Sequence, residues 1–111
     1  MTDVLGLIGL GAMGSDIARR LASTGFPLYV HDINKAAAEN LKDIAKGVAG
    51  SPKEIADFAS IVFISLPSLK AAEQVILGSA GLAQGTKVKI IVDLSTTGGK
   101  RPVEALFPVA V

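Results

Sequence analysis

The 111-residue sequence predicts an α/β fold in which a parallel sheet is covered by helices on both faces. Strand-like and helix-like segments alternate along the chain, as they do in successive βαβ units. Short apolar runs at 61–64 and 90–92 are bounded by polar or turn residues, which is typical of parallel strands buried on both sides. A glycine-rich turn, GLGAMG, joins the first strand to the first helix. These observations predict a Rossmann-like, doubly wound parallel sheet, truncated after about five strands.

The first half of the chain predicts two strand–helix pairs. We expect strands at about 4–8 and 27–31, and helices at about 12–23 and from the N-cap Asn34 to Lys46. Gly25 follows the first helix, where a helix C-terminus favours glycine. Gly47 is expected to end the second helix. Four apolar residues recur at helical spacing on the inner face of that helix: Ala37, Leu41, Ile44 and Ala45.

The second half predicts two further strand–helix units and an irregular end. Ser51-Pro52-Lys53-Glu54 has the pattern of a capping box, with serine at the cap and proline at the first helical position. Strands at about 61–65 and 88–92 and a helix at about 69–76 follow. Residues 98–111 are expected to be an irregular or frayed tail, because Gly98-Gly99 and Pro102 interrupt it.

Composition excludes several classes of function. The net charge is +1 with scattered acids and bases, which argues against binding to nucleic acid or to a membrane surface. Cysteine is absent, and a single histidine without a carboxylate cluster predicts no metal site. The N-terminus lacks the features of a signal peptide, and no apolar stretch reaches the ~18 residues of a membrane span. We therefore expect a cytoplasmic protein.

The glycine turn has the order that dinucleotide binding requires. Gly9 permits the tight turn, Gly11 lets the backbone approach a pyrophosphate, and Gly14 lets helix and strand pack closely. The free N–H groups and the positive dipole end of the following helix then face the anion. An ordinary tight loop is the alternative, but the flanking strand and helix favour a dinucleotide site.

Asp32 ends the second strand, 18 residues beyond Gly14. That is close to the ~20 residues at which a carboxylate hydrogen-bonds the adenosine ribose in dinucleotide-binding folds. A carboxylate there would repel a 2′-phosphate, and no arginine follows it, so NAD is favoured over NADP. The alternative is that Asp32 caps the loop before Asn34. His31 either borders the adenine pocket or is only a residue at the end of a strand.

Polar residues also follow the ends of the later strands. Leu66-Pro67-Ser68 and the segment 93–97 come after the carboxyl ends of strands, where open parallel sheets bind their ligands. Ser95 and Thr96 are candidates for hydrogen bonds to a small substrate. The alternative is that these hydroxyls cap the next helix.

Together these features resemble the cofactor half of the β-hydroxyacid dehydrogenases, the group of 3-hydroxyisobutyrate and tartronate semialdehyde reductases. The resemblance spans about residues 4–97 and extends from GLGAMG to Asp93-Leu94-Ser95-Thr96. The cofactor domain of 6-phosphogluconate dehydrogenases is also similar, but GLGAMG and Asp32 fit the smaller enzymes better. The resemblance implies residues 1–97 as an NAD-binding Rossmann domain, with the C-terminal helical domain absent.

The resemblance also implies roles for individual residues. Leu66 and Pro67 would touch the ribose on the nicotinamide side, Thr96 would line the nicotinamide and substrate region, and Ser95 is a further substrate candidate. The remaining cofactor contacts would come from the glycine turn and the second strand: Gly9, Leu10, Gly11, Ala12, Met13, Gly14 and Asp32.

Reactions in this family transfer a hydride between nicotinamide and the carbon that carries a hydroxyl or carbonyl, and a downstream lysine acts as general acid/base. Lys87, Lys89 and Lys100 do not match its position, so no catalytic residue is assigned here. We expect the cofactor-binding half of an NAD-dependent enzyme acting on a small 3-hydroxy acid or its semialdehyde, with apolar surface that favours self-association. The alternatives are a stand-alone, non-enzymatic dinucleotide-binding module and a flavin or S-adenosylmethionine site.

Overall fold

The computed structural model describes residues 3–94, which form a five-stranded parallel sheet with helices on both faces. The predicted doubly wound fold is therefore confirmed. In chain order the elements are β1 (Leu5–Ile8), α1 (Ala12–Ala22), β2 (Leu28–His31), α2 (Lys35–Glu39), β3 (Gly47–Val48), α3 (Pro52–Phe58), β4 (Ile61–Ile64), α4 (Leu69–Leu77), a 3-10 turn (Leu82–Gln84) and β5 (Ile90–Asp93).

The strand order is β3-β2-β1-β4-β5, so the chain winds outward in both directions from β1. Every position of β1 is paired in parallel with β2 on one side and with β4 on the other. The order reverses between β1 and β4, and a crevice opens at the carboxyl ends of strands at such a reversal. The topology thus places the glycine turn and the end of β4 at one edge of the sheet.

The core has two halves, one on each face of the sheet. On one face, Leu7 and Val30 pack with Ala18 of α1. On the other face, Ile64 packs with Ile55 of α3 and with residues of α4. All four residues of β1 are buried, because the central strand is covered on both faces, as its solid apolar sequence predicts.

Three of the four α-helices in residues 3–94 begin with a capping side chain. Asn34, Ser51 and Ser68 each accept a hydrogen bond from a first-turn N–H, at 3.0, 3.2 and 3.1 Å. The caps predicted at Asn34 and Ser51 are therefore confirmed. α1 differs, because its N-cap residue is Gly11 and no side chain caps it.

The predicted extent of the second helix is wrong. α2 ends at Glu39, and short turns lead from there into β3, so Gly47 is a strand residue and not a helix terminator. The ring of Tyr29 explains this glycine, since a Cβ at Gly47 would lie only 2.8 Å from it. The apolar spacing predicted the buried residue Leu41 correctly, but burial in consecutive turns has nearly the same spacing as burial in a helix.

The last strand begins two residues later than predicted. The N–H groups of Lys87 and Val88 donate to the carbonyl oxygen of Ala56 in α3, at 2.8 and 3.1 Å, and not to β4. The predicted irregular tail at 98–111 lies outside the described residues. Within residues 3–94, no helix combines the length and apolarity needed to cross a membrane.

Candidate functional site

The three glycines of the turn have different surroundings. Gly9 has a φ of +97°, and a side chain there would collide with the main-chain carbonyl of Ser65 at the end of β4. A side chain on Gly14 would collide with the carbonyl of Gly9. At Gly11, by contrast, no atom lies within 4 Å of the position that a Cβ would take. Gly9 therefore lets the turn approach the end of β4, Gly14 lets α1 approach the turn, and Gly11 borders open space.

The start of α1 is suited to an anion. The first N–H groups of a helix have no acceptor within the helix, and Gly11 supplies no side chain to accept from them. The first turn contains no acidic residue, so no side chain in it neutralises the positive end of the helix dipole. Together with the open space at Gly11, this geometry fits a phosphate group of a dinucleotide.

The Asp32 carboxylate connects the glycine turn to the loop before α2. Its Oδ2 accepts from the N–H of Leu10 at 2.6 Å, and its Oδ1 accepts from the N–H of Asn34 at 2.8 Å. Asp32 therefore does cap the loop before Asn34, as one of the two interpretations expected. Each carboxylate oxygen can accept a second hydrogen bond, so these contacts leave capacity for ligand hydroxyls.

A cavity of about 860 Å³ opens at this edge of the sheet. That volume lies within the range of small-molecule sites. The described residues that line it include neither lysine nor arginine, and Asp32 is the one acidic residue among them. Most of the remaining wall is apolar and includes the exposed side chain of Ile33. Within the described residues, an anionic ligand in this cavity would thus be bound by main-chain N–H groups and neutral polar side chains and not by a lysine or arginine.

The structure brings most of the predicted site residues together. Ala12 is the first residue of α1, and Ser95 and Thr96 lie outside the described residues. The predicted residues that line the cavity are Gly9, Leu10, Gly11, Met13, Gly14, Asp32, Leu66 and Pro67.

Several cavity residues were not predicted from the sequence. Gln74 and Val75 reach the cavity from α4, and Ser79 from the segment after it. The available signal was that α4 follows the carboxyl end of a central strand, the edge where such folds bind ligands. Periodicity alone could not show which face of α4 borders the cavity.

His31 ends β2 and borders the cavity, and its place in an adenine pocket stays a prediction. Its Nδ1 lies 2.9 Å from the carbonyl oxygen of Ala49, which connects the end of β2 to the segment after β3.

Asp93 is the last residue of β5 and pairs with Ile64. Among the charged side chains of residues 3–94 it is the one that is buried, with 2% of its surface exposed.

Curated relatives of the chain are dehydrogenases and reductases. The chain is 34% identical over 93 residues to mitochondrial 3-hydroxyisobutyrate dehydrogenase of Mus musculus, a match that covers 83% of this chain and 28% of the mouse protein. It is 37% identical over 93 residues to 2-hydroxy-3-oxopropionate reductase of Escherichia coli (strain K12), covering 83% and 32%. The chain therefore spans less than a third of the length of these relatives.

Solved structures agree with the fold. A 3-hydroxyisobutyrate dehydrogenase from Salmonella typhimurium superposes with a TM-score of 0.75 at 28% identity, over 86% of this chain and 33% of that one. Residues 4–105 match the family described as the NAD binding domain of 6-phosphogluconate dehydrogenase. The glycine turn, the carboxylate at the end of β2 and the strand order are the features that such a domain requires. The chain belongs to this family of NAD-binding domains.

Proposed function

We propose that the chain binds NAD, with the pyrophosphate at the start of α1 and the adenosine ribose on Asp32. The observation that carries this proposal is the position of the Asp32 carboxylate. It is fixed to the glycine turn through the 2.6 Å bond to Leu10 N–H, and it lines the same cavity as Gly11. The joined glycine turn and Asp32 thus supply donors for phosphates and acceptors for ribose hydroxyls.

The proposal favours NAD over NADP on electrostatic grounds. NADP carries a 2′-phosphate on the ribose that would lie against Asp32, and two negative groups at hydrogen-bonding distance repel each other. A basic side chain would be needed to offset this repulsion. The described residues that line the cavity include neither lysine nor arginine.

The wider activity that we propose is hydride transfer between this cofactor and a small 3-hydroxy acid or its semialdehyde. It is supported by the relatives, whose names include 3-hydroxyisobutyrate dehydrogenase and 2-hydroxy-3-oxopropionate reductase. In this proposal residues 1–97 are the cofactor domain, and Ser95 and Thr96 lie next to the substrate. A general acid/base would come from another part of the enzyme, because no lysine lines the cavity within residues 3–94.

Calorimetric titration of the 111-residue chain with NAD and with NADP tests the cofactor. We expect saturable NAD binding and weaker NADP binding. Asp32→Ala should weaken NAD binding by about tenfold or more, because hydrogen bonds to a charged group are lost, and it should narrow the difference between the two cofactors. Asp43→Ala is the control, since Asp43 is an exposed acid outside the cavity lining. The proposal fails if neither cofactor binds, and the preference for NAD fails if NADP binds as well or better.

A further inference from the structure

The fold fixes the hydrogen-bonding role of one ring nitrogen of His31. Nδ1 lies 2.9 Å from the main-chain carbonyl oxygen of Ala49. A carbonyl oxygen can only accept a hydrogen bond, so Nδ1 must be the donor and must carry a proton. In the neutral imidazole the other nitrogen, Nε2, then carries none and is an acceptor.

Nε2 is the part of this side chain that remains available to a ligand. Within residues 3–94 its only hydrogen-bonded ring atom is Nδ1, so Nε2 has no protein partner there. The side chain is half-buried and lines the cavity next to Asp32. Nε2 is not among the buried polar atoms that lack a partner in residues 3–94, so water reaches it in the free chain, and a ligand donor placed against it can take the place of that water.

The position of His31 along the proposed cofactor indicates which ligand group it meets. Asp32 is the proposed contact of the adenosine ribose, and the base attached to that ribose must lie beside it. Ile33, whose side chain is 95% exposed, and Val75 of α4 line the same cavity and provide apolar surface for a flat ring. The half-buried imidazole therefore borders the place that a purine base would take.

The neutral polar side chains of α4 and of the segment after it cannot distinguish one purine from another. Gln74 and Ser79 also line the cavity. An amide has both donors and an acceptor, and a hydroxyl can serve as either, so each can turn to suit an amino or a carbonyl group. The neutral ring of His31 has no such freedom, because the bond to Ala49 fixes its tautomer.

We infer that His31 is a specificity-determining residue whose Nε2 accepts a hydrogen bond from the 6-amino group of adenine. A 6-oxo purine would place a carbonyl oxygen, itself an acceptor, against Nε2. This inference rests on the proposed dinucleotide site and adds a preference for the base.

The test compares NAD with nicotinamide hypoxanthine dinucleotide, which carries a 6-oxo group in place of the 6-amino group. In calorimetric titrations of the 111-residue chain, the hypoxanthine compound should bind about tenfold more weakly, as expected when one hydrogen bond is replaced by two facing acceptors. Equal affinities overturn the inference and leave the NAD site in place. Failure of both compounds to bind removes the dinucleotide site itself, and the inference with it.

His31→Asn is the informative variant. Its amide nitrogen can donate to the Ala49 carbonyl in place of Nδ1, but it has no counterpart of Nε2. It should still bind NAD, with the two dinucleotides within about twofold of each other. Gln74→Leu is the matched control, because it should change both affinities by the same factor and keep the preference. A preference that disappears in Gln74→Leu and survives in His31→Asn overturns the inference.

The tautomer gives a second test that needs no substitution and no ligand. The ¹⁵N chemical shifts of the imidazole distinguish a protonated Nδ1 from a protonated Nε2. We expect the Nδ1–H form in the neutral ring of the unaltered chain. A ring that is predominantly protonated at Nε2 contradicts the inference, because its free nitrogen would then be a donor.

Discussion

Gly11 and Gly14 belong to the same turn, yet the structure separates their roles. Gly14 lies against the carbonyl of Gly9, so its missing side chain is needed for the packing of β1 and α1. Gly11 has open space around it and a φ of −65°, which any residue adopts. Its missing side chain is not needed for folding, and in the proposed complex the pyrophosphate lies in that space.

This difference predicts contrasting effects of alanine at the two positions. Gly14→Ala should lower the free energy of unfolding by about 1–3 kcal/mol, because the methyl group has no room. Gly11→Ala should cost at most about 1 kcal/mol, the size of an N-cap effect, and should still abolish tight NAD binding. Urea denaturation and calorimetric titration measure the two quantities. Equal loss of stability in both variants would contradict these roles.

At the scale of elements, Asp57 holds α3 to the segment before β5. Lys53, one turn earlier in α3, donates to Oδ2 at 2.9 Å, and the main-chain N–H of Thr86 donates to Oδ1 at 3.0 Å. These hydrogen bonds hold the pKa of Asp57 below its ordinary value of 3.8, and the bond from Lys53 has the largest effect. The contact joins residues 29 positions apart in the sequence, so it contributes to the packing of two elements.

A lowered pKa implies a stability that depends on pH. The ionised carboxylate stabilises the folded chain above the ordinary pKa of 3.8, and this contribution is lost as the pH falls further, through the folded pKa. Asp57→Asn should therefore be less stable than the unaltered chain at pH 7, and the difference should shrink below about pH 3.8. Urea midpoints at pH 7 and pH 3 measure this. Asp43→Asn is the control, because its exposed ion pair with Arg19, at 3.7 Å, should contribute little at either pH. A difference at Asp57 that is the same at both values would contradict the assignment.

The elements that the sequence predicts well are those whose signals are local. The cap at Ser51 lies within three residues of its donor, the N–H of Glu54, and the solid apolar runs of β1 and β4 follow from burial on both faces. β3 had no such signal, because Gly47–Val48 is a strand only through its pairing with β2 and the approach of the Tyr29 ring. Contacts between distant residues decide that element, and periodicity does not record them.

At the scale of the whole molecule, the candidate site could be predicted where its residues have a characteristic spacing in the sequence. The glycine turn and Asp32 have a fixed spacing and a fixed place in the topology, and the structure joins them through the bond to Leu10. The contribution of Gln74 depends on how α4 lies across the sheet edge, which no local pattern sets. The predicted substrate residues Ser95 and Thr96 fall outside the described residues, so their role stays a prediction.

Exposed apolar side chains cluster around the same cavity. Met13, Ile33 and Leu94 all line it, with 57%, 95% and 37% of their surfaces exposed. Exposed apolar surface around a cavity tends to be covered by a ligand or by another protein surface. In the proposed complex the dinucleotide covers part of this surface. If two copies of the chain associate through it, as we predict, cofactor binding and that association would compete.

This competition predicts that the chain self-associates at high concentration and that NAD reduces the association. Light scattering with and without saturating NAD measures it, and Ile33→Asn should lower the association without cofactor, because it removes the most exposed apolar side chain of this surface. The control is Leu77→Asn, since Leu77 is 54% exposed but does not line the cavity. A monomer at high concentration without cofactor would contradict the prediction. Association that persists unchanged with bound NAD would place the contact on another surface, because a bound dinucleotide and a second chain cannot both cover Ile33.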